Sequence, residues 1–382
     1  MTRRPLRLVF GLTAIVACGG LAPVGSAQKA AVSDKPETPF KLATFEAGGR
    51  THVGLVLGSR VLAIDAANQH LVKAAGVPPV AMPAEMRALI EQYETVSRRL
   101  YQMANYFGTN STTGLAFAFD VDAVSVKAPI KYPWNMVAAA ANYKAHAEGM
   151  AGNTQPPAPA AAPPGRPAGG FDASVISKIV PSRDAPIMFA KSPRSCIIDP
   201  GEPFYIVDGR QRTDYEAEMA IVMGPRPAYR IPRERAHDYV FGYSLAQDIS
   251  DRGSERLREV SMFAGTNWFD GKSIDRAAPF GPVIVPKEFL PNAANLRITT
   301  TLNGMTVQDA RTSQLIWDEA HLVAYVASRM TLYAGDVILT GTPAGTGAER
   351  QVFLKPGDIV TVELEGVGRL TTPFKALSER PQ

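Results

Sequence analysis

The chain has 382 residues, 46% hydrophobic and 20% charged, with a formal net charge of +4. This is ordinary globular composition, and the length suits two domains or one large domain with an appendage. A charge this weak, with no basic stripe and no nucleic-acid motif, excludes nucleic acid as a partner, and beyond the N-terminus no segment is apolar for long enough to cross a membrane as a helix.

Residues 1–27 read as a signal peptide. Arg3, Arg4 and Arg7 make a positive start, Leu8 to Leu21 is an apolar segment too short to span a bilayer comfortably, and Gly25-Ser26-Ala27 supplies small residues for cleavage. Ile15-Val16-Ala17-Cys18 resembles a lipobox, which would anchor the chain through a lipidated Cys18, and Thr2-Arg3-Arg4-Pro5-Leu6 weakly resembles a twin-arginine signal. Ordinary cleavage near Ala27 and a periplasmic mature protein are the expectation. Cys18 and Cys196 are the two cysteines. Removal of the leader leaves Cys196 alone, a small core residue rather than a nucleophile.

Residues 39–65 alternate in strand fashion around Gly48-Gly49 and predict a small β meander. Pro83 to about Asn105 is helical in pattern, with Met86, Leu89, Ile90, Tyr93, Val96 and Leu100 on one side. This first unit, 38–125, lacks clustered chemical residues and reads as a β-rich packing and dimerisation domain. A β-rich second unit, 126–379, follows. Its unusual interruption is 149–170, dense in Pro, Ala and Gly, which predicts a mobile loop beside a histidine motif.

Asp214-Tyr215-Glu216-Ala217-Glu218 opens an apolar run that ends at Gly224 and predicts a strand. Side chains two apart on a strand share a face, so Glu216 and Glu218 stand side by side, with Ala217 and Met219 turned into a core. Two carboxylates opening an apolar strand repel each other and resist desolvation. A hard cation such as Mg2+, Mn2+ or Ca2+ relieves both, whereas a solvated edge with two unrelated glutamates is the plainer alternative. Val240 to Ser250 reads as a second strand ending in Asp248, either a third ligand or a helix cap. Gly271-Lys272-Ser273 is a turn around a lysine, and Thr340-Gly341-Thr342-Pro343 a loop able to present N–H groups and hydroxyls to an anion.

Taken in order, Asn142-Tyr143-Lys144-Ala145-His146, Asp214-Tyr215-Glu216-Ala217-Glu218, Gln247-Asp248-Ile249-Ser250 with Arg252, Gly271-Lys272-Ser273 and Thr340-Gly341-Thr342-Pro343 resemble the fumarylacetoacetate hydrolase superfamily across about 126–375. Asn303-Gly304 and Gln308 match as well. The resemblance implies a β-rich α+β fold, a small N-terminal β domain followed by a mixed β-sandwich roll, usually as a homodimer. It implies Glu216, Glu218 and Asp248 as ligands of Mg2+ or Mn2+ and Lys272 as the site cation. It makes His146 the water-activating base, and it sets Tyr143, Arg252 and Thr342 beside a small 2-oxo acid substrate. Two positions depart from the pattern. The glutamate expected three residues after the histidine is Gly149, so Glu148, one residue early, is the catalytic candidate for the histidine's partner, and a glutamine expected seven residues after Asp248 is Glu255. The activity implied is metal-dependent C–C hydrolysis of 2,4-dioxo acids through an enolate. The alternatives are isomerisation or decarboxylation of 2-oxo dicarboxylic acids, which need no activated water and so suit a displaced glutamate, and an exported metal-binding protein without turnover.

Overall fold

Alternating apolar residues and two glycine turns fold the first described strands into an antiparallel meander. β1 (Lys41–Ala47) pairs with β2 (Arg50–Leu57), and β2 with β3 (Arg60–Ala63). β4 (Ala118–Asp120) and β5 (Ser125–Lys127) complete a five-stranded sheet in the order β4-β3-β2-β1-β5. The computed structural model describes residues 31–152, 178–253 and 268–381. Residues 1–27, expected as a signal peptide, Glu255 and most of the Pro/Ala/Gly segment therefore lie outside the described residues.

The meander expected to run through Asp65 stops at Ala63, and Ile64 opens helix α1 (Ile64–Ala75). Ile64, Ala67, Asn68 and Leu71 are its buried residues, a spacing that a helix and not a strand puts on one face. Gly76, at φ +71°, ends it in the left-handed conformation that favours glycine. The predicted helix over 83–105 is two, α2 (Met86–Glu91) and α3 (Tyr93–Thr109). Met86, Leu89, Ile90, Val96 and Leu100 are buried within this chain, so the apolar face expected to serve dimerisation is already covered.

Two further large sheets build most of the rest. The central one runs β11 (Val285–Pro286), β10 (Val240–Gln247), β9 (Ala217–Met223), β14 (Val337–Leu339), β6 (Met136–Ala140), β7 (Ile187–Ala190). The second runs β13 (Met305–Arg311), β12 (Arg297–Leu302), β15 (Ile359–Leu364), β16 (Gly368–Ala376), β8 (Phe204–Ile206). Every residue of β9 is buried. Its Met219 and Ile221 join the core shared with Val360, Val362 and Leu370 of the second sheet, while Ala220 and Val222 join the core of α1 to α3. Strand alternation thus sandwiches β9 between two apolar layers. Reciprocal backbone hydrogen bonds of 2.8 Å between Leu42 and Ile284 tie the N-terminal sheet to the rest.

The helices around the site are short: α4 (Lys144–Gly152), α5 (Trp268–Lys272), α6 (Glu319–Ala327) and α7 (Gly347–Arg350). Residues 149–152, expected as the start of a loop, finish α4 instead. Among the described residues no helix is long and apolar enough to cross a membrane.

Candidate functional site

Register brings the acids together. β9 and β10 pair antiparallel with Ala217 opposite Gln247, and the Asp248 N–H donates to the Glu216 carbonyl at 2.9 Å. Residue 248 therefore arrives beside residue 216, and the strand pleat adds Glu218. One oxygen from each of Glu216, Glu218 and Asp248 lies within 4.8 Å of the others, and all three residues are buried. The solvated-edge and helix-cap alternatives thus give way to a single cluster.

Three buried or half-buried cations brace it. Lys272 Nζ donates to Glu216 Oε2 at 2.6 Å, Asp248 Oδ2 at 2.5 Å and Ser250 Oγ at 2.6 Å. Lys191 Nζ, with no exposed side-chain surface, donates to Asp248 Oδ1 at 2.6 Å and to the Lys272 carbonyl at 2.5 Å. Arg252 binds Asp214 at 2.8 Å and also contacts Glu216. The resemblance set Arg252 beside the substrate; here its guanidinium bridges two carboxylates.

The electrostatics follow from this packing. Burial pushes the Glu216 carboxyl up, but Lys272, Arg252 and His146 outweigh it and hold the group well below its ordinary value. Burial raises Glu218 far above its usual range, and the like charges of Asp248 and Glu216 raise it further. Burial alone would lower Lys272, yet Asp248 and Glu216 keep it above normal. Glu218 accepts a backbone hydrogen bond from Gly341 at 2.5 Å and is the acid that most needs a further positive charge. Three convergent carboxylates with an oxygen-only donor set suit Mg2+ or Mn2+. Among the described residues, these three acids and Asp214 face Lys191, Lys272 and Arg252. A divalent ion would leave this group one positive charge in excess.

The histidine expected to act as the base meets a residue the sequence reading missed. His146, 4% exposed on α4, sets its Nδ1 3.3 Å from Glu349 Oε1 on α7. The contact is at ion-pair distance without the alignment of a full hydrogen bond. Glu148, the expected substitute on α4, takes no part in it: its side chain is half exposed and lies 3.9 Å from Lys144 instead. Two residues along a helix is a turn of about 200°, which points Glu148 away from the His146 side. At Gly149 a Cβ would overlap Glu349 Oε1, so Glu349 fills the space where the expected glutamate would begin. Burial raises the Glu349 carboxyl, but His146 and the N–H groups of Thr346 and Gly345 bring it below its ordinary value. A signal was present in Thr346-Gly347-Ala348-Glu349, a capping box whose glutamate reaches back to the Thr346 N–H at 2.8 Å. Lys191 was also legible as a lysine directly after the apolar strand β7.

The Thr-Gly-Thr loop closes the site. Gln308 Nε2 donates to Thr342 Oγ1 at 2.9 Å and to the Pro343 carbonyl at 2.7 Å, which holds Thr342 buried. Asn142 Nδ2 donates to the carbonyls of Thr340 and Trp317, both at 2.8 Å. Tyr143 is buried, and its hydroxyl has no hydrogen-bond partner among the described residues. Burial, with Glu218 nearby, raises its pKa, so it stays a donor. Gly341 has φ +93°, and a Cβ there would lie 2.8 Å from Asn142 Cβ. Gly341→Ala should therefore cost about 1–3 kcal/mol of stability, read as a lower denaturation midpoint.

Residues 135–375 match the family model described as fumarylacetoacetate (FAA) hydrolase C-terminal. The mitochondrial oxaloacetate tautomerase of Xenopus laevis is 37% identical over 200 residues, covering 52% of this chain and 60% of that relative. The match thus spans less than two thirds of that relative's own length. The fumarylacetoacetate hydrolase of the psychrophile Exiguobacterium antarcticum superposes with a TM-score of 0.60 at 27% identity, covering 88% of this chain and 99% of that one. The maleylpyruvate hydrolase of Sphingobium sp. SYK-6, solved with manganese(II) and pyruvate, has a TM-score of 0.59 over 88% of this chain and 99% of that one. At 24% identity it shows the fold alone. These relatives correct the periplasmic placement: the oxaloacetate tautomerases among them are named as mitochondrial proteins, not exported ones. A basic start followed by an apolar run is a feature that export signals share with other leaders, so it does not specify a compartment. The strand-rich α+β architecture and the match over 135–375 agree, and the chain belongs to the fumarylacetoacetate hydrolase family.

Proposed function

We propose that the chain is a divalent-metal-dependent enzyme that moves a proton at the carbon beside the 2-oxo group of a small dicarboxylic 2-oxo acid, interconverting enol and keto forms as an oxaloacetate-type tautomerase. The observation that carries this reading is the buried His146–Glu349 pair next to the three-acid cluster. Glu216, Glu218 and Asp248 would hold Mg2+ or Mn2+, and when bound the ion supplies Lewis-acid polarisation of the 2-oxo group. Glu349 faces Nδ1, which leaves Nε2 of His146 to take and return the proton. Lys272 supplies positive charge where negative charge develops. Thr342 and the Tyr143 hydroxyl are the donors for a substrate carboxylate. The name of the Xenopus laevis relative supports tautomerisation.

Hydrolysis of acylpyruvates is the second reading, and one observation favours it. A displaced glutamate argued against water activation, and Glu349 removes that argument by restoring a carboxylate to the histidine. The two separate in one experiment. The decay of oxaloacetate enol absorbance and the cleavage of a panel of acylpyruvates are followed with Mn2+ and with EDTA. Metal-dependent enol decay without cleavage is expected; cleavage without enhanced enol decay overturns the proposal in favour of hydrolysis. Inertness toward both, with Mn2+ still bound, returns the non-catalytic alternative. His146→Ala should keep the metal and lose about 10²–10⁴-fold in kcat, measured beside Mn2+ calorimetry; wild-type turnover would remove His146 from the base role.

A further inference from the structure

Asp214 opens the acidic motif yet is not one of the three clustered acids. It is fully buried, and its carboxylate is saturated. Oδ1 accepts from the N–H groups of Tyr215 at 2.8 Å and Gly347 at 2.6 Å. Oδ2 accepts from the Ala348 N–H at 3.0 Å and from Arg252 Nε at 2.9 Å. Two of these donors are the first amides of α7, the helix that carries Glu349. We infer that Asp214 is a positioning residue that sets α7 against the segment leading into β9 so that Glu349 meets His146. This rests on reading His146 and Glu349 as the working pair.

A helix of four residues cannot hold its own geometry, because nucleation alone costs more than one turn of hydrogen bonds returns. Its placement must come from outside, and Asp214 supplies two of the hydrogen bonds that anchor it. Gly347 makes the contact feasible: a Cβ there would stand 2.6 Å from Asp214 Oδ1. Two residues beyond Gly347, Glu349 accepts from the Gly345 N–H at 2.6 Å and the Thr346 N–H at 2.8 Å, which fixes its rotamer toward α4. On its other side Asp214 meets Arg252, which also contacts Glu216. One carboxylate thus borders both the metal-ligand set and the base, and the inference assigns its effect to the base.

A double-mutant cycle tests the assignment, because residues that act through one another lose additivity. Wild type, Asp214→Asn, Glu349→Gln and the double variant are compared for kcat on an enol substrate and for Mn2+ affinity by calorimetry. Asp214→Asn should lower kcat about 10–100-fold, the range seen when outer supporting partners are lost, with Mn2+ affinity held within about 3-fold. In the Glu349→Gln background the same change should cost less than about 3-fold. Additive losses overturn the inference, as does a fall in Mn2+ affinity that parallels the fall in kcat, which would place Asp214 with the metal ligands through Arg252. Wild-type turnover by Glu349→Gln sinks the His146–Glu349 pair itself, a different failure. Should Asp214→Asn not fold, Gly347→Ala, whose Cβ would press on both Asp214 Oδ1 and the Val352 carbonyl, displaces α7 from an intact carboxylate and must give the same non-additive pattern.

Discussion

Glu349→Ala should lose about 10²–10⁴-fold in kcat while retaining Mn2+, since an orienting carboxylate on a catalytic histidine is worth up to the upper figure. Adding Gly149→Glu should return much of that loss. The reason is spatial: a side chain at 149 and the Glu349 carboxylate compete for one volume next to His146. Position 149 is also three residues from His146 on α4, within about 60° of it around the helix. In the wild-type background Gly149→Glu alone should reduce both stability and turnover, because two carboxylates would be forced together in a buried space. Steady-state kinetics with thermal melts on the four proteins decide the matter. Wild-type turnover by Glu349→Ala, or a double variant no better than the single one, defeats the exchange. A pH effect accompanies it. The folded-state carboxyl of Glu349 lies below its ordinary 4.5, so its contribution to stability is present above that value and fades as pH falls through the lower folded value. The stability gap between wild type and Glu349→Gln should therefore close on acidification below about pH 4.5.

Asp248→Ala should abolish Mn2+ binding and reduce turnover by about 10³-fold or more, since both metal polarisation and its orientation are lost. Asp248 shares its two oxygens between Lys191 and Lys272. Its removal strands two buried ammonium groups, a change of the kind that costs about 3–5 kcal/mol when one partner of a buried pair is deleted. Asp248→Asn keeps the volume and an acceptor and should fold better while still losing the metal. Calorimetry with Mn2+ and denaturation of each variant are the measurements. Metal binding at wild-type affinity by both variants would mean that the three-acid cluster is not the metal centre. EDTA should reproduce the loss of activity in wild type, with recovery on adding Mn2+ or Mg2+.

The chemistry-bearing residues were legible because their types and order are local facts. Glu216 and Glu218 announce themselves by interrupting an apolar strand, Asp248 by ending one, and Thr340-Gly341-Thr342 by turn chemistry. The strand-rich architecture was legible for the same reason, since period-two alternation and glycine turns act over a few residues. Helix α1 was missed because Val61-Leu62-Ala63-Ile64 continues a strand pattern across a boundary that its burial spacing and Gly76 place elsewhere. Residues 1–27 were legible as a basic start and an apolar run, but that pattern is not an address.

The sequence by itself determined which side chains are candidates to hold a cation and move a proton, because residue identity and strand period decide what each short segment can present. Only the tertiary structure decided the partnerships. Glu349 lies 203 positions from His146 in the chain, and nothing in local pattern links them; sheet register, the α7 cap on Asp214 and the absence of a side chain at Gly149 bring them together. Charge compensation is likewise a property of the packed core, where burial strengthens every interaction of Lys191, Lys272 and Arg252 with the acids that no spacing along the chain could reveal.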